Sequence, residues 1–436
     1  MKKSILSIIA CLCILVPVQG QGQRAQVPDK LPPELFPEYN CKTIQFGDTS
    51  GEQIPILGWH GLPGLSKYST AAHYREMADA GFTINMPHEL CHVDSAILST
   101  PPEKYFALLD LAQATGMKIF VGGGVMDFFS PDEIKRLVAH PALAGYSLRD
   151  EPALNDFAAL GATVRKIQAI DNTHPCYINM FPANAKDRQL GTNGYQEYVL
   201  NYIREIPVPF LSFDHYPIIF DKATGQRRIL PKFYENLEII SGESKKIGKP
   251  FWAFALSTAH GDYPVPALAD LRLQVYSDLA YGAQCIQYFT WFDPWGETPD
   301  DDAPIRIDGT KSNSYYTVQA MNREIIALSK VFLNSRTVWT AHTGTIPRGC
   351  TELDKSKLPP VIQSLEISEP GALVSLLEKG SDRFLVIVNH DINQEITVNV
   401  TGRSGLRMVN KDGDIVPVVA KQTLTPGDAM ILFWKK

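Results

Sequence analysis

KIFVGGGVMDFFSPDEIKRLVAHPALAGYSLRDE, residues 118–151, holds one full unit of a repeating pattern. An apolar β-rich run at 118–123 precedes an amphipathic stretch at 132–140, and a second apolar run follows at 143–151. That is the order of a strand, a crossover helix and a parallel strand. Outward from it, similar runs recur at 54–60, 83–88, 176–181, 210–216, 251–257 and 285–292. Helical spacing of apolar residues fills 70–80, 103–115, 155–170, 232–247 and 267–281. Eight such units over 45–335 predict an α/β fold, a (β/α)8 TIM barrel, with its active site where the strands' carboxyl ends feed their loops.

After a last helix at 315–331 the pattern turns to alternating strands at 373–377, 384–389, 395–400, 406–410 and 429–434. Turn signals at Lys411-Asp412-Gly413 and Pro426-Gly427-Asp428 separate them, which predicts a small C-terminal antiparallel β-sandwich over 336–436. The Thr-, Ser- and Pro-containing stretch 334–370 reads as a linker. The sandwich strands carry few aromatics for their outer face, so the sandwich reads as a brace for the barrel.

The chain has 436 residues, 44% hydrophobic and 20% charged, which excludes disorder and coiled coil. Its formal charge is −6, and without Lys2 and Lys3 it is −8, 39 basic residues against 47 acidic. No basic run could neutralise a row of phosphates, so nucleic acid is not expected as a partner. A positive start, an apolar run from Ile5 to Val16 and the small-residue site Val18-Gln19-Gly20 read as a signal peptide over 1–20. Export to the periplasm or the outside of the cell is the expectation. The apolar run is shorter than the roughly 20 residues that span a bilayer, so no transmembrane segment is expected. Cys41, Cys91, Cys176, Cys285 and Cys350 show no metal-ligand spacing and read mostly as buried thiols, with Cys41 and Cys350 one pair that could oxidise.

A barrel brings its strand ends together. The candidates are Trp59 and His60; His88 and Glu89; Asp127; Arg149, Asp150 and Glu151; Asn179; Asp214, His215 and Tyr216; Ser257, Thr258 and His260; Trp291, Asp293, Trp295 and Glu297. Acids and polar donors bind sugar hydroxyls, and aromatics stack on the apolar faces of sugar rings. Strand alternation places Ser147, Arg149 and Glu151 on one side. Burial among like charges raises a carboxyl's pKa, the condition for a general acid near neutral pH, although Arg149 pulls the other way. His88-Glu89 with His215 could ligate a metal, but the spacing matches no metal motif, and neither a metal nor a cofactor is expected.

Asp150-Glu151-Pro152, Ser212-Phe213-Asp214-His215-Tyr216-Pro217 and the run Gly282 to Trp291 resemble the barrel of clan A glycoside hydrolases, nearest to family 42 β-galactosidases and their relatives. The resemblance covers most of the mature chain. It implies an enzyme that cleaves O-glycosidic bonds of an oligo- or polysaccharide, with Glu151 as acid/base, Tyr216 orienting the nucleophile and Trp291 flooring a sugar subsite. It also implies an Asn where Asp150 stands. The family's strand-seven nucleophile has no counterpart, since residues 250–260 contain no carboxylate. Three readings follow: Asp214 acts as general base for an inverting displacement; Glu89, Asp127, Asp262 or Glu297 reaches in from a loop; or the site only binds carbohydrate.

Overall fold

The computed structural model describes residues 53–64, 66–87, 102–122, 130–294 and 302–436. Eight parallel strands form one sheet: β1 (Ile56–Trp59), β2 (Ile84–Met86), β3 (Lys118–Gly122), β4 (Leu143–Asp150), β5 (Cys176–Asn179), β6 (Leu211–Phe213), β7 (Phe251–Leu256) and β8 (Cys285–Phe289). In space they run β5-β4-β3-β2-β1-β8-β7-β6. A bridge between Met180 and Phe213, with Met180 N donating to Ser212 O at 2.8 Å, joins the two ends into a barrel.

Among the described residues the helices of eight or more residues are α1 (Ala71–Asp79), α2 (Pro102–Gln113), α3 (Pro131–Val138), α4 (Phe157–Gln168), α5 (Tyr195–Glu205), α6 (Phe233–Ile247), α7 (Leu268–Tyr281) and α8 (Asn313–Ala327). Local chemistry sets their starts. At α3, Ser130 Oγ accepts from Glu133 N while Ser130 N donates to Glu133 Oε2, so each side chain satisfies a backbone donor that the helix leaves open.

Alternation sorts every strand between two cores. Leu57, Ile84, Phe120, Ala144, Tyr177, Phe210, Trp252, Phe254 and Cys285 fill the lumen, whereas Ile56, Ile119, Leu143, Tyr146, Ile178, Ala253, Ile286 and Tyr288 face the helices. Trp252 stacks on Phe210 with ring centroids 3.8 Å apart. Gly145 permits β4 and the start of β5 to touch, because a Cβ there would lie 2.3 Å from the Pro175 carbonyl and φ is +153°.

Beyond α8 the chain forms a six-stranded antiparallel sheet, whose central strands are Ala372–Lys379, Asp382–Asn389 and Ala429–Lys435, and a three-stranded one from Ile362–Ile367, Ile396–Gly402 and Lys421–Leu424. Val374, Leu385, Ile387, Met430 and Leu432 face the smaller sheet; Leu373, Leu377, Phe384, Val386, Val388, Ile431 and Phe433 join the core that includes α7. The six-stranded sheet is therefore buried on both faces, and Ser375 Oγ donates to Ala280 O at the end of α7 at 2.7 Å. The linker reading of 334–370 needs correction, because Arg336–His342 pairs with Ala372–Lys379 and Ile362–Ile367 pairs with Ile396–Gly402. A hairpin of Ile218–Asp221 and Gln226–Ile229 after β6 is a further element the periodicity did not reveal. Among the described residues no helix is long and apolar enough to cross a membrane.

Candidate active site

Three carboxyl groups meet at the carboxyl end of the barrel, and two local departures from a regular strand bring them there. The β4–β5 register shifts between Ser147 and Arg149, so Arg149 pairs with outward-facing Ile178 and Asp150 pairs with Asn179. A bulge of this kind reverses the alternation beyond it. The expected grouping of Ser147, Arg149 and Glu151 on one side is thereby corrected: Asp150 turns toward Asn179 and Asp214, and Arg149 is exposed. Glu151 follows with φ +45°, a left-handed conformation rare for a residue with a Cβ, while its N–H donates to Asn179 O at 2.9 Å. This turn returns its carboxyl to the field of Asp214 and Asp150.

Asn179 organises the group. Its Nδ2 donates to Asp150 Oδ1 at 3.2 Å and to Asp214 Oδ1 at 2.8 Å. Those two oxygens therefore lie no farther apart than about 6 Å, the sum of the two contacts. Asn179 Oδ1 in turn accepts from Ser212 Oγ at 2.9 Å, Ser212 Oγ accepts from Gln287 Nε2 at 3.0 Å, and Tyr177 OH donates to Gln287 Oε1 at 2.8 Å. All four residues are buried in the lumen, so the amide orientation is set from below.

Burial raises all three carboxyl pKa values. Glu151 is pushed up to about 9 by desolvation, then by Asp214 and Asp150. Asp214 rises to about 7, again by desolvation and then Asp150, against the Asn179 hydrogen bond. Desolvation takes Asp150 to about 6, opposed by Asn179 and by the Arg149 guanidinium. All three acids are thus held protonated above the ordinary carboxyl range, because burial penalises each charge and neighbouring charges disfavour one another.

An aromatic wall stands beside them. Trp59 stacks on His60 at 4.4 Å, and Phe289 lies 5.6 Å from Trp59, 5.7 Å from Tyr216 and 5.1 Å from His260, between ring centroids. Tyr263 is 4.8 Å from His260 and 5.8 Å from Tyr216. The Tyr216 phenol is held well above its usual pKa by burial and then by Asp214, Asp150 and Glu151, which places it in the field of the acids. Sequence reasoning missed Phe289, Gln287 and Tyr263. Counting alternate residues inward from Cys285 would have found Gln287 and Phe289; Tyr263, on a loop, has no such signal.

Two candidates lie elsewhere. His215 alternates away from Asp214 and Tyr216 and is buried against α6, with Nδ1 3.0 Å from Asn236 Oδ1 and its ring edge on Phe233; desolvation lowers its pKa to about 4. Trp291 is fully buried between the barrel and helices α1 and α8, packed on Phe82 and Tyr315, which leaves no ring face for a sugar. Asp293 sits beyond β8 with its N–H donating to Ile305 O. His88, Glu89, Asp127, Trp295 and Glu297 lie outside the described residues. Asp262 is exposed and paired with Lys222 at 3.2 Å. At the end of β7, Ser257 Oγ donates to Thr290 O and Thr258 Oγ1 lies 2.9 Å from Thr290 Oγ1, so hydroxyls tied to β8 fill the place where the resemblance implied a carboxylate.

A cavity of about 700 Å³ opens at the opposite end of the barrel, between the strand starts near Pro55, Phe251 and Gln284 and the segment around Arg336. Its lining holds no carboxylate, and barrel chemistry belongs to the carboxyl end. Among the described residues, the one group of side chains spaced to hold a metal ion, Glu238, His342 and Cys350, does not belong to the basin.

The chain matches no protein-family model and no curated protein. Its fold is similar to that of the β-galactosidase from Bacillus circulans sp. alkalophilus, at 9% identity over 88% of this chain and 99% of that chain, TM-score 0.58. It is similar also to a family 39 glycoside hydrolase from the gut symbiont Bacteroides cellulosilyticus WH2, at 12% identity over 88% of this chain and 81% of that chain, TM-score 0.50. The chain spans only 60% of the β-galactosidase from the psychrophilic Marinomonas ef1, at 12% identity over 63% of this chain, TM-score 0.45. At such identities the likeness is one of fold: a parallel eight-stranded barrel followed by antiparallel sheets, as in these glycoside hydrolases.

Proposed function

We propose that the chain is an exported glycoside hydrolase that cleaves O-glycosidic bonds of an oligo- or polysaccharide, with Glu151 as proton donor and Asp214 as its partner. The observation that carries this reading is the meeting of Glu151, Asp150 and Asp214 at the strand ends, with Glu151 the most strongly raised. At neutral pH Glu151 holds a proton to give to the leaving oxygen. Asp214, in its ionised form, takes a proton from an attacking water. Asp150 accepts from a sugar hydroxyl, and the half-buried rings of His260, Tyr263 and Phe289 offer faces to the substrate. The sequence resemblance to family 42 β-galactosidases supports the same assignment of Glu151, and the amino-terminal segment supports export.

A second reading has its own observation: Ser257 and Thr258 occupy the end of β7 where a retaining enzyme needs its nucleophile. On that reading the barrel binds carbohydrate without cleaving it. The Glu151→Gln variant separates them. Hydrolysis that disappears while sugar binding persists supports the enzyme; wild-type protein that binds but does not turn over any of a panel of oligosaccharides supports the binding module; unchanged turnover in the variant removes Glu151 from the mechanism.

A further inference from the structure

Where the barrel meets the six-stranded sheet, five side chains from separate parts of the chain converge. Glu238 comes from α6, Tyr281 ends α7, His342 ends Arg336–His342, Cys350 follows it, and His390 follows Asp382–Asn389. One ligand atom from each of Glu238, His342 and Cys350 lies within 4.8 Å of the others, and among the described residues Cys350 forms no disulfide; Cys41, its expected partner for oxidation, lies outside them. The Tyr281 hydroxyl sits among them, donating to Glu238 Oε1 at 2.8 Å, 3.1 Å from His342 Nε2 and 3.9 Å from Cys350 Sγ. His342 Nδ1 is 3.1 Å from His390 Nδ1, and His390 also hydrogen-bonds the Pro370 carbonyl.

Protons are short in this chain of contacts. From Glu238 through Tyr281, His342 and His390 to Pro370 there are four links, each needing one proton. With Glu238 ionised, one hydroxyl and two neutral imidazoles bring three; the fourth link is met either by a proton on Glu238, whose pKa burial raises, or by a cation that replaces one link. A cation on His342 Nε2 fits the second arrangement: Tyr281 keeps its proton for Glu238, His342 carries its own on Nδ1 toward His390, and His390 donates to Pro370.

We propose that Glu238, His342 and Cys350 form a site for a divalent transition metal of the zinc class, with His390 orienting His342 and either the Tyr281 oxygen or a water in the fourth position. Thiolate, imidazole and carboxylate together select zinc-like ions over magnesium or calcium. Binding ionises the Cys350 thiol, whose proton leaves to solvent. The ion ties α6 to the strand and loop of the following sheets, a structural role remote from the carboxyl basin. Sequence reasoning, which expected no metal, had no local spacing by which to find ligands 104 and eight residues apart.

The test is a cobalt(II) titration of the full chain after dialysis against a chelator. One equivalent should give tetrahedral ligand-field bands in the visible and a thiolate-to-cobalt charge-transfer band in the near ultraviolet. Cys350→Ser should lose the charge-transfer band, and His390→Gln should keep it while weakening cobalt binding about 10- to 100-fold. A titration of folded wild-type protein without these bands, or a charge-transfer band that persists in Cys350→Ser, overturns the proposal. Should Cys350→Ser fail to fold, Glu238→Gln decides, since it keeps an acceptor for Tyr281 but loses the charge: unchanged cobalt affinity refutes the site, and weakened affinity supports it.

Discussion

Replacing Glu151 by Gln should make the folded chain more stable above about pH 5, by an amount that grows toward pH 9. The carboxyl's pKa rises from its ordinary 4.5 to about 9 on folding, so between those values the folded state holds a proton that the unfolded chain releases. Stability from this group is fully present below 4.5 and is lost as pH rises through 9. Each pKa unit is worth about 1.36 kcal/mol, which caps the loss at about 6 kcal/mol. Glu151 keeps partial contact with water, and screening there reduces the expected difference to about 1–3 kcal/mol at pH 9. Glutamine is nearly isosteric and cannot ionise, so it escapes the loss. Urea unfolding of both proteins at pH 5, 7 and 9, with equal m-values, measures the difference. Parallel pH profiles, or a variant less stable than wild type throughout, would refute the claim that this carboxyl is held protonated in the fold.

Other consequences concern the partners and the frame. Asn179→Ala removes the donor shared by Asp150 and Asp214, so the acid limb of the pH–rate profile should move up by about one unit; an unmoved limb removes Asn179 from the site's electrostatics. Phe384→Ala opens a hole in the face shared by the six-stranded sheet and the barrel core and should lower unfolding free energy by about 3 kcal/mol, whereas a loss below about 1 kcal/mol would argue against a brace. At Asp171, burial alone would raise the pKa, but hydrogen bonds from His174, Thr173 and Tyr146 hold it well below the usual range. Its contribution is present above pH 3.8 and is lost as pH falls, so Asp171→Asn should be about 1–3 kcal/mol less stable at pH 7, with the gap closing in acid.

The barrel was legible because each β-strand carries its own alternation and each helix its own apolar stripe. The sequence-based run at 285–292 overlaps β8 at Cys285–Phe289, and that at 251–257 overlaps β7 at Phe251–Leu256. Failure came where the backbone leaves regularity without changing residue type. Nothing in Ser147-Leu148-Arg149 announces a bulge, yet it decides that Asp150 rather than Arg149 faces Asn179. Nor does a Glu before Pro announce a left-handed φ, which returns Glu151 to its neighbours. Trp291 and His215 lie in the helix layer because nearness to a strand end does not fix a side chain's direction: His215 alternates away from Asp214 and Tyr216, and Trp291, beyond β8, no longer follows the alternation of Cys285, Gln287 and Phe289. Arg336–His342 and Ile362–Ile367 went unread because Thr, Ser and Pro around them masked the alternation. Glu238, His342 and Cys350 meet only through tertiary packing.

Acid catalysis by Glu151 is tested most directly by the leaving-group dependence of the Glu151→Gln variant. Aryl glycosides should be compared across phenols from strongly to weakly acidic. If Glu151 delivers the proton, kcat/KM should fall about 100- to 10,000-fold for poor leaving groups and far less for dinitrophenolate, which departs without one. An equal loss for every leaving group, or no loss at all, would contradict the account.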